Sequence, residues 1–167
     1  PQTLWNAQAV RVPTRVFASS NEAVRHVVLM IENLIRERTS AGLPCVLGLP
    51  TGSTPVSVYR ELVRLHRDEG LDFSRVITFN LDEYCGVAPD EVQSYHRFMR
   101  ENLFDHVNIR EENIHIPDGN VAQSKVDQHC DNYEQEIRRA GGIDLMLLGI
   151  GRTGHIGFNE PGSSVGG

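Results

Sequence analysis

The chain has 167 residues, enough for one domain that buries a sizeable core. Hydrophobic residues at 40% and charged residues at 23% are ordinary for a globular protein, and no apolar run is long enough to span a bilayer. The net charge of -6 gives no basic footprint for nucleic acid, but a small phosphate can still be held by local backbone amides.

No repeat or linker divides the sequence, and strand-like and helix-like segments alternate. Ser19-Ser20-Asn21-Glu22 reads as a capping box. Behind it Val24, Val27, Val28, Ile31, Leu34 and Ile35 recur at helical spacing, which predicts an amphipathic helix over residues 20–39. Cys45-Val46-Leu47-Gly48-Leu49 is a short apolar run, as in a strand buried on both faces. Thr54-Pro55 predicts an N-cap followed by proline in the first helical turn, with a helix to about His66 that stops near Gly70.

Val76-Ile77-Thr78-Phe79 is the next predicted strand, and Ser94 caps a helix carrying Tyr95, Phe98, Met99 and Leu103. Ile114-His115-Ile116 predicts a short strand. Val126, Cys130, Tyr133 and Ile137 mark one face of a helix that Gly141-Gly142 ends. The last predicted strand covers residues 143–148. This alternation implies an α/β fold, a parallel sheet with helices on both faces. Ligands of such sheets bind beyond the carboxyl ends of the strands, where residues 50–55, 80–84 and 149–162 fall.

The three cysteines, Cys45, Cys85 and Cys130, are an odd number without CxxC spacing. Reduced thiols and a cytoplasmic location are expected, and no secretory signal pattern is recognisable.

Each of the three segments carries chemistry. In the first, Thr51, Gly52, Ser53 and Thr54 lie between a strand and a helix N-terminus, where free amides and hydroxyls suit a phosphate. An unliganded turn explains that segment equally well, and the lysine of a nucleotide-binding P-loop is absent. In the second, Asp82 and Glu83 directly follow an apolar strand. A carboxylate beside an apolar wall can gain basicity enough to take a proton from carbon, although alone the pair reads first as a solvated turn. In the third, residues 149–154 match GxGxxG formally. No helical apolar spacing follows, and no acidic residue lies roughly 20 positions on, so dinucleotide binding is not expected. His155 and Glu160 suit proton relay, since HExxH spacing and a neighbouring second histidine are both missing and no metal is expected.

Together these segments resemble the glucosamine-6-phosphate deaminase family. The resemblance rests on Leu47-Gly48-Leu49-Pro50-Thr51-Gly52-Ser53-Thr54-Pro55 and on Phe79-Asn80-Leu81-Asp82-Glu83-Tyr84. It also rests on Gly149-Ile150-Gly151 with Gly154-His155-Ile156-Gly157-Phe158-Asn159-Glu160-Pro161. Ser94-Tyr95, Phe98-Met99 and Asn102-Leu103-Phe104-Asp105-His106-Val107 are similar to the family too.

The resemblance implies a Rossmann-like domain over residues 1–167 that converts glucosamine 6-phosphate and water to fructose 6-phosphate and ammonia. It implies a hydrolase that isomerises an aldose to a ketose, belonging to amino sugar metabolism and N-acetylglucosamine catabolism, without cofactor or metal. Thr51, Gly52, Ser53 and Thr54 would hold the sugar phosphate and Asp82 would move the C2 proton. His155 would assist ring opening, Glu160 would orient it, and Thr153 stands where many members carry aspartate or asparagine. The resemblance also implies truncation at the C-terminus, with about two thirds of the family's length present and the family's phosphate-binding lysine beyond Gly167. A homo-oligomer is expected of the full length, with no nucleic acid or membrane partner. A 6-phosphogluconolactonase-like hydrolase is the nearest alternative, disfavoured by Tyr84 where that family resembles DER. A non-catalytic sugar-phosphate sensor on the same fold is the other.

Overall fold

The computed structural model describes residues 13–164; residues 1–12 and 165–167, included in the single-domain expectation, lie outside the described residues. Helix α1 (Ser20–Ser40) leads to strand β1 (Cys45–Leu49), helix α2 (Val56–Glu69) and strand β2 (Val76–Asn80). Helix α3 (Tyr95–Asn102), strand β3 (Ile114–His115), helix α4 (Val126–Arg139) and strand β4 (Leu145–Met146) follow. The strands form one sheet in the order β3-β2-β1-β4, all pairs parallel.

The α/β architecture with helices on both faces is therefore present, and its physical basis is alternation along the strands. Cys45, Leu47, Leu49 and Val76 join a core with Val28, Ile31 and Ile35 of α1 and Val58, Tyr59 and Leu62 of α2. Each such fully buried aliphatic side chain contributes about 1.5–3 kcal/mol. On the opposite face Phe79 stacks on His115 with ring centroids 4.4 Å apart, and Tyr133 of α4 meets Phe79 edge-on at 5.7 Å. Gly48 has no side chain, so the Met146 side chain of β4 lies across its backbone.

Ser19 accepts a hydrogen bond from the Glu22 amide, and the Glu22 carboxylate reaches back to the Ala18 amide (both 3.3 Å). The first cap thus forms, with the return bond one residue earlier than in a standard capping box. Three expectations are corrected. Helix α2 begins at Val56, with Pro55 in the cap position and no side-chain cap, so Thr54 remains exposed in the preceding turn. Strand β4 is two residues long because it pairs only with β1 at Leu145 and Met146, and Leu148 is already exposed. Cys130 shares the face of α4 that carries Val126 and Tyr133 but is exposed there.

After β3 the chain crosses back over the sheet, so β4 joins β1 on the side away from β2. The crevice where strand order reverses lies at the carboxyl ends of β1 and β4, the ligand position of open α/β sheets. Polar bonds pin these ends together. Asn80 Nδ2 donates to the Leu49 carbonyl (2.8 Å), and the Tyr133 hydroxyl bridges the Asn80 and His115 carbonyls (2.8 and 3.0 Å). Asp144 accepts from the Val46 amide (2.9 Å) and pairs with Arg38 of α1, which anchors the approach to β4.

Candidate active site

All three segments converge on one cleft of about 370 Å³. Its floor is the 51–54 turn, one wall carries Asp82, and the other carries Gly151, His155 and Gly157. Gly52 has φ +93°, a left-handed conformation open to glycine, which lets the chain turn sharply out of β1. The buried Tyr59 hydroxyl of α2 donates to the Pro50 carbonyl and ties this turn to the helix beneath it. Because no side chain caps α2, the turn leaves the Ser53 and Thr54 hydroxyls and the first amides of α2 available to an anion.

Asp82 lies just past β2 and is half-buried. Burial pushes its carboxyl above the usual carboxylate range, and the adjacent Glu83 charge adds to the effect. A Cβ built on Gly157 would lie 3.2 Å from Asp82 Oδ2, so the last loop approaches the carboxylate closely only because residue 157 is glycine.

In the last loop His155, Thr153 and Glu160 close a triangle of hydrogen bonds. Thr153 Oγ1 donates to Glu160 Oε2 (2.7 Å). His155 Nδ1 lies 2.9 Å from Thr153 Oγ1 and 3.0 Å from Glu160 Oε1. The threonine proton is committed to Glu160, so both remaining oxygens accept from Nδ1–H. This assigns the Nδ1–H tautomer and leaves Nε2 as the free ring nitrogen. Any Cβ at Gly151 would overlap the imidazole, and the Gly151 amide donates to the His155 carbonyl (2.9 Å). The glycines of the formal GxGxxG match thus make room for a histidine.

Sequence reasoning missed two contributors. Glu83, read as half of a solvated pair, is buried and caps α3. Its Oε2 accepts from Ser94 Oγ, the Tyr95 amide and the His96 amide (2.8, 2.8 and 3.3 Å). These partners lie 11–13 positions away and leave no local signal. The second is an aromatic wall. The rings of Tyr84, Tyr95 and Phe158 lie 5.0–6.2 Å apart beside Asp82, joining the second segment to the third across the cleft.

Among the described residues no group of three or more His, Cys, Asp or Glu side chains is arranged to hold a metal ion. No described helix is long and apolar enough to cross a membrane. What the cleft offers is a polar turn for an anion, a carboxylate of raised basicity and an oriented imidazole.

A parallel α/β sheet that brings a polar turn, a carboxylate and an imidazole to its topological switch point has the plan of the open α/β ligand-binding domains. The chain belongs to the family described as glucosamine-6-phosphate isomerases/6-phosphogluconolactonase, whose model matches residues 18–158. It is 52% identical over 136 residues to a glucosamine-6-phosphate deaminase of Thermoanaerobacter sp. (strain X514), covering 81% of this chain and 51% of that protein. It is 59% identical over 119 residues to glucosamine-6-phosphate deaminase 1 of Giardia intestinalis, covering 71% of this chain and 44% of that one.

A solved monomeric glucosamine-6-phosphate deaminase superposes with a TM-score of 0.80 at 41% identity, covering 87% of this chain and 58% of that chain. The 6-phosphogluconolactonase of Thermotoga maritima superposes with a TM-score of 0.67 at 30% identity, covering 81% and 59%. The chain spans about half the length of the curated relatives it matches.

Proposed function

We propose that the protein deaminates glucosamine 6-phosphate, with isomerisation, to fructose 6-phosphate and ammonia. The observation that carries this reading is the meeting of Asp82 and His155 over the 51–54 turn in one cleft, with His155 held from behind by Thr153 and Glu160. Relatives named for this activity support it.

Thr51, Gly52, Ser53 and Thr54 bind the phosphate, which fixes the sugar across the cleft. His155 Nε2 moves the proton between anomeric hydroxyl and ring oxygen as the ring opens, with Glu160 and Thr153 holding the tautomer. Asp82 takes the C2 proton, made acidic by the neighbouring aldehyde, and the enaminol forms. Return of a proton at C1 gives the C2 imine; water adds there and ammonia leaves. The final step is a hydrolysis, but the relatives are named for deamination and the family for isomerisation, so isomerising deaminase describes the reaction better than hydrolase. A cytoplasmic location, a single domain and self-association belong to the same reading. Family membership does not require self-association, because the solved relative is monomeric.

The test is release of ammonia and fructose 6-phosphate from glucosamine 6-phosphate by the natural protein. Asp82→Asn is expected to lower kcat by about 10²–10⁴-fold. Wild-type turnover in that variant overturns the assignment of the base. Hydrolysis of 6-phosphogluconolactone without ammonia release overturns the substrate.

A further inference from the structure

We propose that Glu83 is a positioning residue for this site: its carboxylate fastens the strand-end loop to the start of α3, so that Asp82 and Tyr95 reach the cleft as one unit. The inference rests on the proposed function, because it gives Glu83 a part in that reaction.

Glu83 is 9% exposed, and among the described residues it has no cationic partner. Burying a lone carboxylate is costly unless hydrogen bonds replace its water. They do so here. Oε1 accepts from the Tyr84 amide (2.8 Å), and Oε2 accepts from Ser94 Oγ, the Tyr95 amide and the His96 amide.

Helix α3 does not need this charge as its cap, since Ser94 Oγ already accepts from the His96 amide (3.1 Å). What Glu83 adds is the bond to Tyr84, which joins the loop holding Asp82 to the helix holding Tyr95. The Tyr84 and Tyr95 hydroxyls then meet at 3.1 Å, and both rings line the cleft. Asp82 gains no hydrogen bond of its own among the described residues, so its placement depends on the segment that carries it.

The test compares Glu83→Gln, Glu83→Asp and Ser19→Ala in the natural protein. Ser19→Ala removes the N-cap of α1, remote from the cleft, and calibrates the effect of a lost cap on stability and turnover. Glu83→Gln must place an NH2 group against N–H donors and is expected to lower kcat on glucosamine 6-phosphate about 10–100-fold with little change in KM. Glu83→Asp keeps the charge but retracts the oxygens by one methylene. It is expected to fold and to show the same split, which covers the case in which the glutamine variant fails to fold. Ser19→Ala is expected to lower Tm and leave kcat unchanged.

Wild-type kcat in folded Glu83→Gln or Glu83→Asp protein, with only Tm reduced, overturns this inference and leaves the proposed function standing. A wild-type protein that releases no ammonia from the aminosugar overturns both.

Discussion

At the scale of single residues, Thr153 shows how a neutral hydroxyl can link two side chains of a loop. A hydroxyl has no charge to offer His155, but it bonds Glu160 and the imidazole at once and so holds the relay together. Thr153→Val is expected to lower kcat while KM stays nearly constant, as steady-state kinetics would show. Gly151→Ala is expected to be severe for activity and mild for folding, because the new methyl meets the imidazole and not the core. Circular dichroism with an ammonia-release assay separates the two effects.

Asp82 carries a cost that a stability curve can read. Its folded carboxyl titrates above its unfolded value, so its ionisation opposes folding as pH rises through the folded pKa. Asp82→Asn is therefore expected to raise Tm relative to wild type at neutral pH. The difference shrinks as pH falls through the raised folded pKa and is gone below the ordinary aspartate range. Equal Tm values across that range would contradict the burial assigned to Asp82. The raised value also predicts an acid limb of kcat/KM above the ordinary aspartate pKa. His155, Glu160 and Asp82 were legible in the sequence because they follow glycines or a strand end. The roles of Glu83, Tyr84, Tyr95 and Phe158 were not, since their partners come from distant loops.

At the scale of elements, the strands and helices were largely legible from apolar spacing, and the misjudged boundaries fall at the site. Strand β4 was expected over six residues and pairs over two. An apolar run predicts burial, but pairing needs a neighbour, and Met146 and Leu148 lack full cover. The Thr54-Pro55 signal placed the start of α2 close to its observed position, but the side chain that looked like a cap is left exposed. This difference matters chemically, since an uncapped helix start keeps its amides available to a ligand.

Tyr59 connects that helix to the turn above it, and Tyr59→Phe leaves the Pro50 carbonyl without its buried donor. A loss of about 1–3 kcal/mol in denaturant unfolding is expected. A higher KM for the sugar phosphate with little change in kcat should accompany it, because the turn that loosens is the one proposed to hold the phosphate.

At the scale of the molecule, the crossover from β3 to β4 is what makes a site. It brings the last loop to the far side of β1, so that segments 51–54, 80–84 and 149–162 share a rim. Strand alternation predicted that rim, because parallel strands deliver every following loop to the same edge. The strand order that sets which loops are neighbours depends on long-range pairing and had no local signature.

The same architecture sorts the three thiols. Cys45 is 1% exposed within β1, and burial pushes its thiol up to about 11, whereas Cys85 and Cys130 are exposed. Alkylation of native protein at neutral pH, read by mass spectrometry, is expected to modify Cys85 and Cys130 rapidly. Cys45 should react only on unfolding.

The ring of Phe158 against Tyr84 and Tyr95 has an optical consequence. The chain has a single tryptophan, Trp5, so Phe158→Trp would add an indole at the mouth of the cleft against a low emission background. A sugar phosphate entering the cleft must displace water from that face, and the emission of the new indole should shift toward the blue as the ligand is titrated. Occupancy could then be followed by light alone, with no turnover and no coupled enzyme.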